Sequence, residues 1–251
     1  MFTRGTALAL DSPVTTPPRN AFMKTAPIIA VVALSGMAAT AQAEVSSTIT
    51  VASDYDFRGI TQTARDPALQ ASLDWSGESG IYAGAFASNV DFGDSDVELD
   101  LYAGYRGSIG EDASFDLGVI QYLYLDTYKD LKFTEAYAGF GYKAVSAKVW
   151  YAWDFGNSGK SASYIEANAA IPMANDFSFN LHAGYSDGDY WGDDSYTDYS
   201  IGVSKTVGNF ALNLKWVDGS DLAAYKNAPD DIGSSESKVV FTVATTLPWG
   251  K

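Results

Sequence analysis

The chain has no cysteine and only one histidine. Without thiols it can form neither disulfides nor thiolate metal sites, so an exported product must hold its fold by packing and hydrogen bonds alone. The single imidazole, His182, lies between Asn180 and Gly184 with no second histidine at ligand spacing. That leaves no histidine metal site and no well-placed Ser-His-Asp triad. Basic residues are also scarce: 16 Lys and Arg stand against 31 Asp and Glu, a formal net charge of −15. Such a chain repels phosphate backbones, and nucleic acid is excluded as a partner. Beyond residue 43 no apolar run approaches the ~18 to 20 residues of a membrane-spanning helix, which excludes a helical membrane protein. No phosphate-binding glycine loop and no EF-hand spacing occurs. Asp91, Asp94 and Asp96, and the group Asp187, Asp189, Asp193 and Asp194, read as solvated acidic loops rather than calcium ligands. Sequence alone therefore assigns no catalytic residue, no metal and no cofactor, and predicts that the protein is not an enzyme.

What is present begins with a leader. Met23-Lys24-Thr25 precedes an apolar stretch from Ala26 to Ala38 and then Ala41-Gln42-Ala43. This is the order of a secretory signal peptide, with a positive start, a short apolar region and an A-x-A cleavage site. Residues Met1 to Phe22, with Asp11 and the Pro17-Pro18 pair, do not resemble such a start, so Met23 is the expected initiator. The expected division is a leader over 1–43 (signal peptide 23–43) and one domain over 44–251.

Within that domain the hydrophobic period is two. Phe210, Leu212, Leu214 and Trp216 share one parity while Ala211, Asn213 and Lys215 hold the other. Val97, Leu99, Leu101, Ala103 and Tyr105 oppose Glu98, Asp100, Tyr102, Gly104 and Arg106 in the same way, and Phe177, Phe179, Leu181 and Ala183 oppose Ser178, Asn180, His182 and Gly184. Strands with one apolar and one polar face are the consequence. Twelve are predicted, at about 45–57, 68–76, 80–90, 97–108, 113–125, 132–143, 145–155, 161–171, 176–187, 196–207, 209–218 and 237–247. An even number, mostly near the ~9 to 11 residues that cross a bilayer at a tilt, is the pattern of an antiparallel up-and-down transmembrane β-barrel. Connections alternate between tight turns, such as Gly77-Glu78-Ser79 and Gly110-Glu111-Asp112, and longer acidic loops, such as Asn89 to Asp96, Asp187 to Ser195 and Asp218 to Glu236. The tight turns read as periplasmic and the long loops as extracellular. Three strands break the alternation: Ile81 to Val90 is small or apolar on both faces, Gln121 takes the lipid parity, and Trp150 takes the inner one. A β-bulge in one of them would reset the register.

One segment, Ser53-Asp54-Tyr55-Asp56-Phe57-Arg58-Gly59-Ile60-Thr61-Gln62-Thr63, resembles the opening signature of the TorF-type porin family. The similarity continues through Glu78 to Gly84, Ala87 to Phe92, Leu99 to Tyr105 and Glu135 to Gly139. The resemblance implies a bacterial outer-membrane pore of undefined solute. One departure is the ending Leu247-Pro248-Trp249-Gly250-Lys251, where the aromatic residue stands near the end and not at it.

If the apolar parity faces lipid, the other places Asp54, Asp56, Asp74, Glu98, Asp100, Asp116, Glu135, Glu166 and Asp198 in the lumen with Arg58, Arg106, Lys148 and Lys215. The acidic excess predicts a narrow, cation-preferring porin for small hydrophilic solutes, because carboxylates lining a pore favour cations. Pairing between neighbouring strands is the competing role for each charge. Expected partners are outer-membrane lipid, lipopolysaccharide and the permeating solutes or cations. The alternative function is a closed structural or adhesive barrel acting through its acidic loops, and an outer-membrane hydrolase is the remaining one.

Overall fold

A computed structural model describes residues 44–92, 95–125, 131–220 and 229–249. The expected leader lies outside them. The chain forms β1 (Glu44–Ala52), a short hairpin of β2 (Asp56–Phe57) and β3 (Ile60–Thr61), then β4 (Ala68–Ser76), β5 (Ile81–Phe92), β6 (Ser95–Ile109), β7 (Ala113–Leu125), β8 (Lys132–Tyr142), β9 (Val145–Ala152), β10 (Ala162–Pro172), β11 (Phe177–Asp187), β12 (Tyr196–Val207), β13 (Phe210–Ser220) and β14 (Lys238–Leu247). All but β2 and β3 pair in sequence order, and β1 closes on β14 to give an antiparallel barrel of twelve strands. Closure satisfies every strand edge, which a sheet facing lipid requires.

The two-residue period decides which side faces out. Leu101, Leu117, Val149, Ile165, Leu214 and Val239 are exposed on the outside, while Glu98, Asp100, Glu135 and Asp198 on the opposite parity are buried. The polar side is therefore the inner one, the inverse of a soluble barrel. Of the three irregular strands, only β5 shifts register, between Asn89 and Phe92. The β6–β7 and β8–β9 ladders run without a bulge. Gln121 keeps its outward place because its amide is satisfied there: it donates to the Tyr122 and Phe133 carbonyls and accepts from the Thr134 hydroxyl at 2.6 Å.

Two boundaries differ from the sequence expectation. The connection expected over Asn89 to Asp96 is mostly strand, since β5 extends to Phe92 and β6 starts at Ser95. The first strand, expected to run to residue 57, ends at Ala52. The chain then turns inward: β2 and β3 pair as Asp56 with Thr61 and Phe57 with Ile60, leaving Arg58-Gly59 as a two-residue turn. Both turn residues have positive φ, 52° and 82°, the signs a type I′ hairpin needs. Asp54, Thr61 and Thr63 in this segment are almost fully buried.

Candidate functional site: the barrel lumen

The inward hairpin leaves the wall between β1 and β4, and its tip meets the far side. In the closed order β9 lies six strands from β1 in either direction, diametrically opposite. There the Arg58 guanidinium donates to both Glu135 oxygens, at 2.9 and 2.7 Å, from β8. It also lies over the rings of Trp150 on β9 and Tyr164 on β10, at 5.5 and 4.3 Å, with its own neighbour Phe57 at 4.7 Å. The Arg58 side chain is 9% exposed and that of Glu135 0%, so the pair is withdrawn from solvent. Tyr122 donates to the same Glu135 carboxylate at 3.2 Å.

Other contacts fasten the flanks of the hairpin. Lys215 reaches Asp56 at 2.7 Å, and Lys238 bridges Asp54 and Asp56 at 2.9 and 3.1 Å. Thr61 and Thr63 hydroxyls donate to Asp54 from within the segment. Tyr55 donates to Glu98 on β6 at 2.7 Å. Asp54, Asp56 and Arg58 therefore do reach the interior, but on an inserted segment and not on a strand wall as the parity reading had it.

Toward the short-turn end the wall uses a different device. Tyr102 on β6 lies across Gly84 on β5 and donates to Asp74 on β4. Tyr82 on β5 lies across Gly104 on β6 and donates to Asp116 on β7 at 2.5 Å. Lys148 on β9 crosses Gly139 on β8 to reach the same Asp116 at 2.8 Å. The same device recurs near the long-loop end, where Tyr164 crosses Gly184 on β11 to Asp198 on β12, at 3.1 and 3.2 Å to its two oxygens. In each case a side chain spans two strand intervals, and the strand between carries glycine; at Gly84 a Cβ would sit 2.5 Å from the Tyr102 ring, whereas at Gly139 it would press at 3.0 Å on the Lys148 Cε.

Of the remaining expected lumen residues, Glu166 accepts from Trp150 Nε1 at 3.0 Å, which explains why a tryptophan takes the inner parity. His182 contacts Asn168 at 2.7 Å, Asp198 at 2.8 Å and Tyr164 at 3.0 Å, so the one histidine is a member of a polar wall network. Asp100 stands beside Glu98 on β6, 2% exposed and with one oxygen lacking a hydrogen bond. Arg106 lies at the short-turn rim over the Tyr82 ring at 5.0 Å. Two groups escaped the sequence reading. Lys238 was legible by parity, one place from the outward Val239, but sits at the first residue of its strand. The inward tyrosines were legible too, yet a tyrosine between apolar residues carries no sign of whether its hydroxyl has a partner. Among the described residues no cluster of three or more His, Cys, Asp or Glu is arranged to hold a metal.

Comparison with curated proteins finds no match to this sequence. Among solved structures, the KdgM porin is similar with a TM-score of 0.54 at 8% identity, covering 82% of this chain and 99% of that one. The NanC porin matches with a TM-score of 0.52 at 8% identity, covering 80% and 99% respectively. The KdgM porin in complex with disordered oligogalacturonate gives 0.52 at 8%, covering 83% and 100%. At such identity the shared property is the barrel fold. The family model described as "Bacterial protein of unknown function (Gcw_chp)" matches residues 37–247. The match does not carry the TorF-type naming expected from the opening segment; what it and the solved structures support together is a porin-like family.

Proposed function

For a chain that belongs to the Gcw_chp family, whose function is unknown, we propose that the protein is an outer-membrane porin forming a narrow, cation-preferring pore for small hydrophilic solutes. The barrel it shares with the KdgM and NanC porins supports the outer-membrane location and the pore. The observation that carries the cation preference is the pairing pattern. Arg58, Lys148, Lys215 and Lys238 are each committed to a carboxylate. Asp74, Glu98, Asp100, Glu166 and Asp198 form no ion pair with Lys or Arg among the described residues. Where these carboxylates are ionised, the field that they add inside the wall is negative. In a narrow pore these groups lie within about one Debye length, ~8 Å, of a passing ion and are only partly screened. The long-loop end, by the usual sorting of loop length, faces the cell exterior.

The hairpin lodged across the lumen favours a second reading, a barrel closed at rest. Planar-bilayer recording separates the two. The expected result is a small conductance whose reversal potential under a KCl gradient indicates cation preference, reduced in an Asp74→Asn, Glu98→Gln, Asp100→Asn variant. Anion preference, or no current from folded and inserted protein, would leave the closed barrel as the better account.

A further inference from the structure

The contacts around Arg58 make up a receptor with its ligand in place. A planar cation is met edge-on by a fully buried carboxylate through two parallel hydrogen bonds. Its faces are covered by the rings of Phe57, Trp150 and Tyr164. Bidentate carboxylate recognition and stacking on aromatic faces are the two interactions that select a guanidinium over a compact ammonium. All but one of the groups that do this, Glu135, Tyr122, Trp150 and Tyr164, belong to the barrel wall; only Phe57 travels with the hairpin.

The backbone beneath Arg58 supplies an independent observation. The first turn position of a type I′ hairpin calls for positive φ, which Asn, Asp and Gly accept and a long side chain resists. Arginine stands there with φ of 52°. Positive-φ strain at such a residue persists where the side chain is held by its surroundings. The following Gly59, at φ of 82°, presses against the wall so closely that a Cβ would lie 2.8 Å from the Asp198 Cβ. The turn is thus shaped to deliver one guanidinium to one place on the opposite wall.

We infer that the Glu135, Tyr122, Trp150 and Tyr164 pocket is a binding site for guanidinium-bearing solutes, which Arg58 fills as a tethered internal ligand when no solute is present. A solute guanidinium competes with Arg58 for the pocket, and its binding frees the hairpin tip from the far wall. The site itself does not depend on the barrel conducting; only its effect on permeation rests on the pore reading.

The test uses the purified, folded barrel in detergent, with methylguanidinium at millimolar concentration as probe and methylammonium as the control of equal charge. The readout is the temperature at which the folded, fast-migrating gel form is lost. Arg58→Ala should be stabilised by methylguanidinium, with little response to methylammonium. Wild type, where the probe must displace Arg58, should respond much less, and Arg58→Ala with Glu135→Gln should bind on the order of tenfold more weakly or worse. Should Arg58→Ala fail to fold alone, recovery of the folded form on refolding with methylguanidinium supports the site, and failure to recover overturns it. Equal shifts in all variants, or none in Arg58→Ala, also overturn it. Current through the barrel plays no part, so a protein that never conducts leaves the result interpretable.

Discussion

The two ends of the lumen bind their carboxylates with different partners. At the long-loop end, Glu98 and Glu135 are held by Tyr55 and Arg58, which belong to the inserted segment. Toward the short turns, Asp74 and Asp116 are held by Tyr102, Tyr82 and Lys148, all of which belong to the wall. The hold on Glu98 and Glu135 is therefore partly conditional on the hairpin, and that on Asp74 and Asp116 is permanent. Anything that moves the hairpin changes the charge presented by the first set and leaves the second as it was.

The sharpest way to break this contrast is Glu135→Gln, which strands a buried guanidinium. A loss of about 3–5 kcal/mol is expected when one partner of a buried pair is removed, measurable by urea unfolding in detergent, together with a larger single-channel conductance as the tip is released. At the fixed end, Gly84→Val should swing the Tyr102 ring off the wall and away from Asp74. Overpacking of this kind destabilises by about 1–3 kcal/mol, and here conductance should fall instead of rise. The opposite signs of the two conductance changes are the test of the comparison. Tyr55→Phe removes one hydrogen bond to Glu98 while leaving the ring, so a loss of about 1 to 2 kcal/mol is expected, with more frequent brief openings in the same recordings. The smallest effect should come from Lys143→Ala at the short-turn rim. Its ion pair with Asp112 is 3.4 Å long with both side chains more than half exposed, and such pairs contribute about 0–1 kcal/mol.

The barrel was legible because lipid outside and polar groups inside leave a period-two record in every strand. β4, β7 and β12 match their sequence boundaries residue for residue. The inserted hairpin was not legible by the same rule, and the reason is physical. Tyr55 and Phe57 alternate with Asp54 and Asp56 just as strand residues do, and an extended segment turned into the lumen keeps that alternation while changing what it faces. The signal that could have found it is Arg58-Gly59, a turn dipeptide directly after the expected strand end. The segment that resembles a known opening signature is this hairpin. Gln121 and Trp150 looked anomalous for the opposite reason: periodicity records polarity, and each is satisfied by a partner on the adjacent strand, Thr134 or Glu166. The ties across glycine were beyond sequence reading because they join strands that are next-but-one neighbours, and which residues then face one another depends on the register of two successive ladders.

Those ties have a mechanical consequence. Backbone ladders join each stave of the barrel to the next, and a tube held only in that way can flatten by hinging at its seams. A tyrosine or lysine that skips one stave and fastens to the second acts as a tangential brace, resisting change in the angle between neighbours. Because the brace lies along the wall, it stiffens the tube without occupying its bore. The glycines under Tyr102, Tyr82, Lys148 and Tyr164 are the recesses that receive these braces, and the cross-section should stay round even when the hairpin is elsewhere.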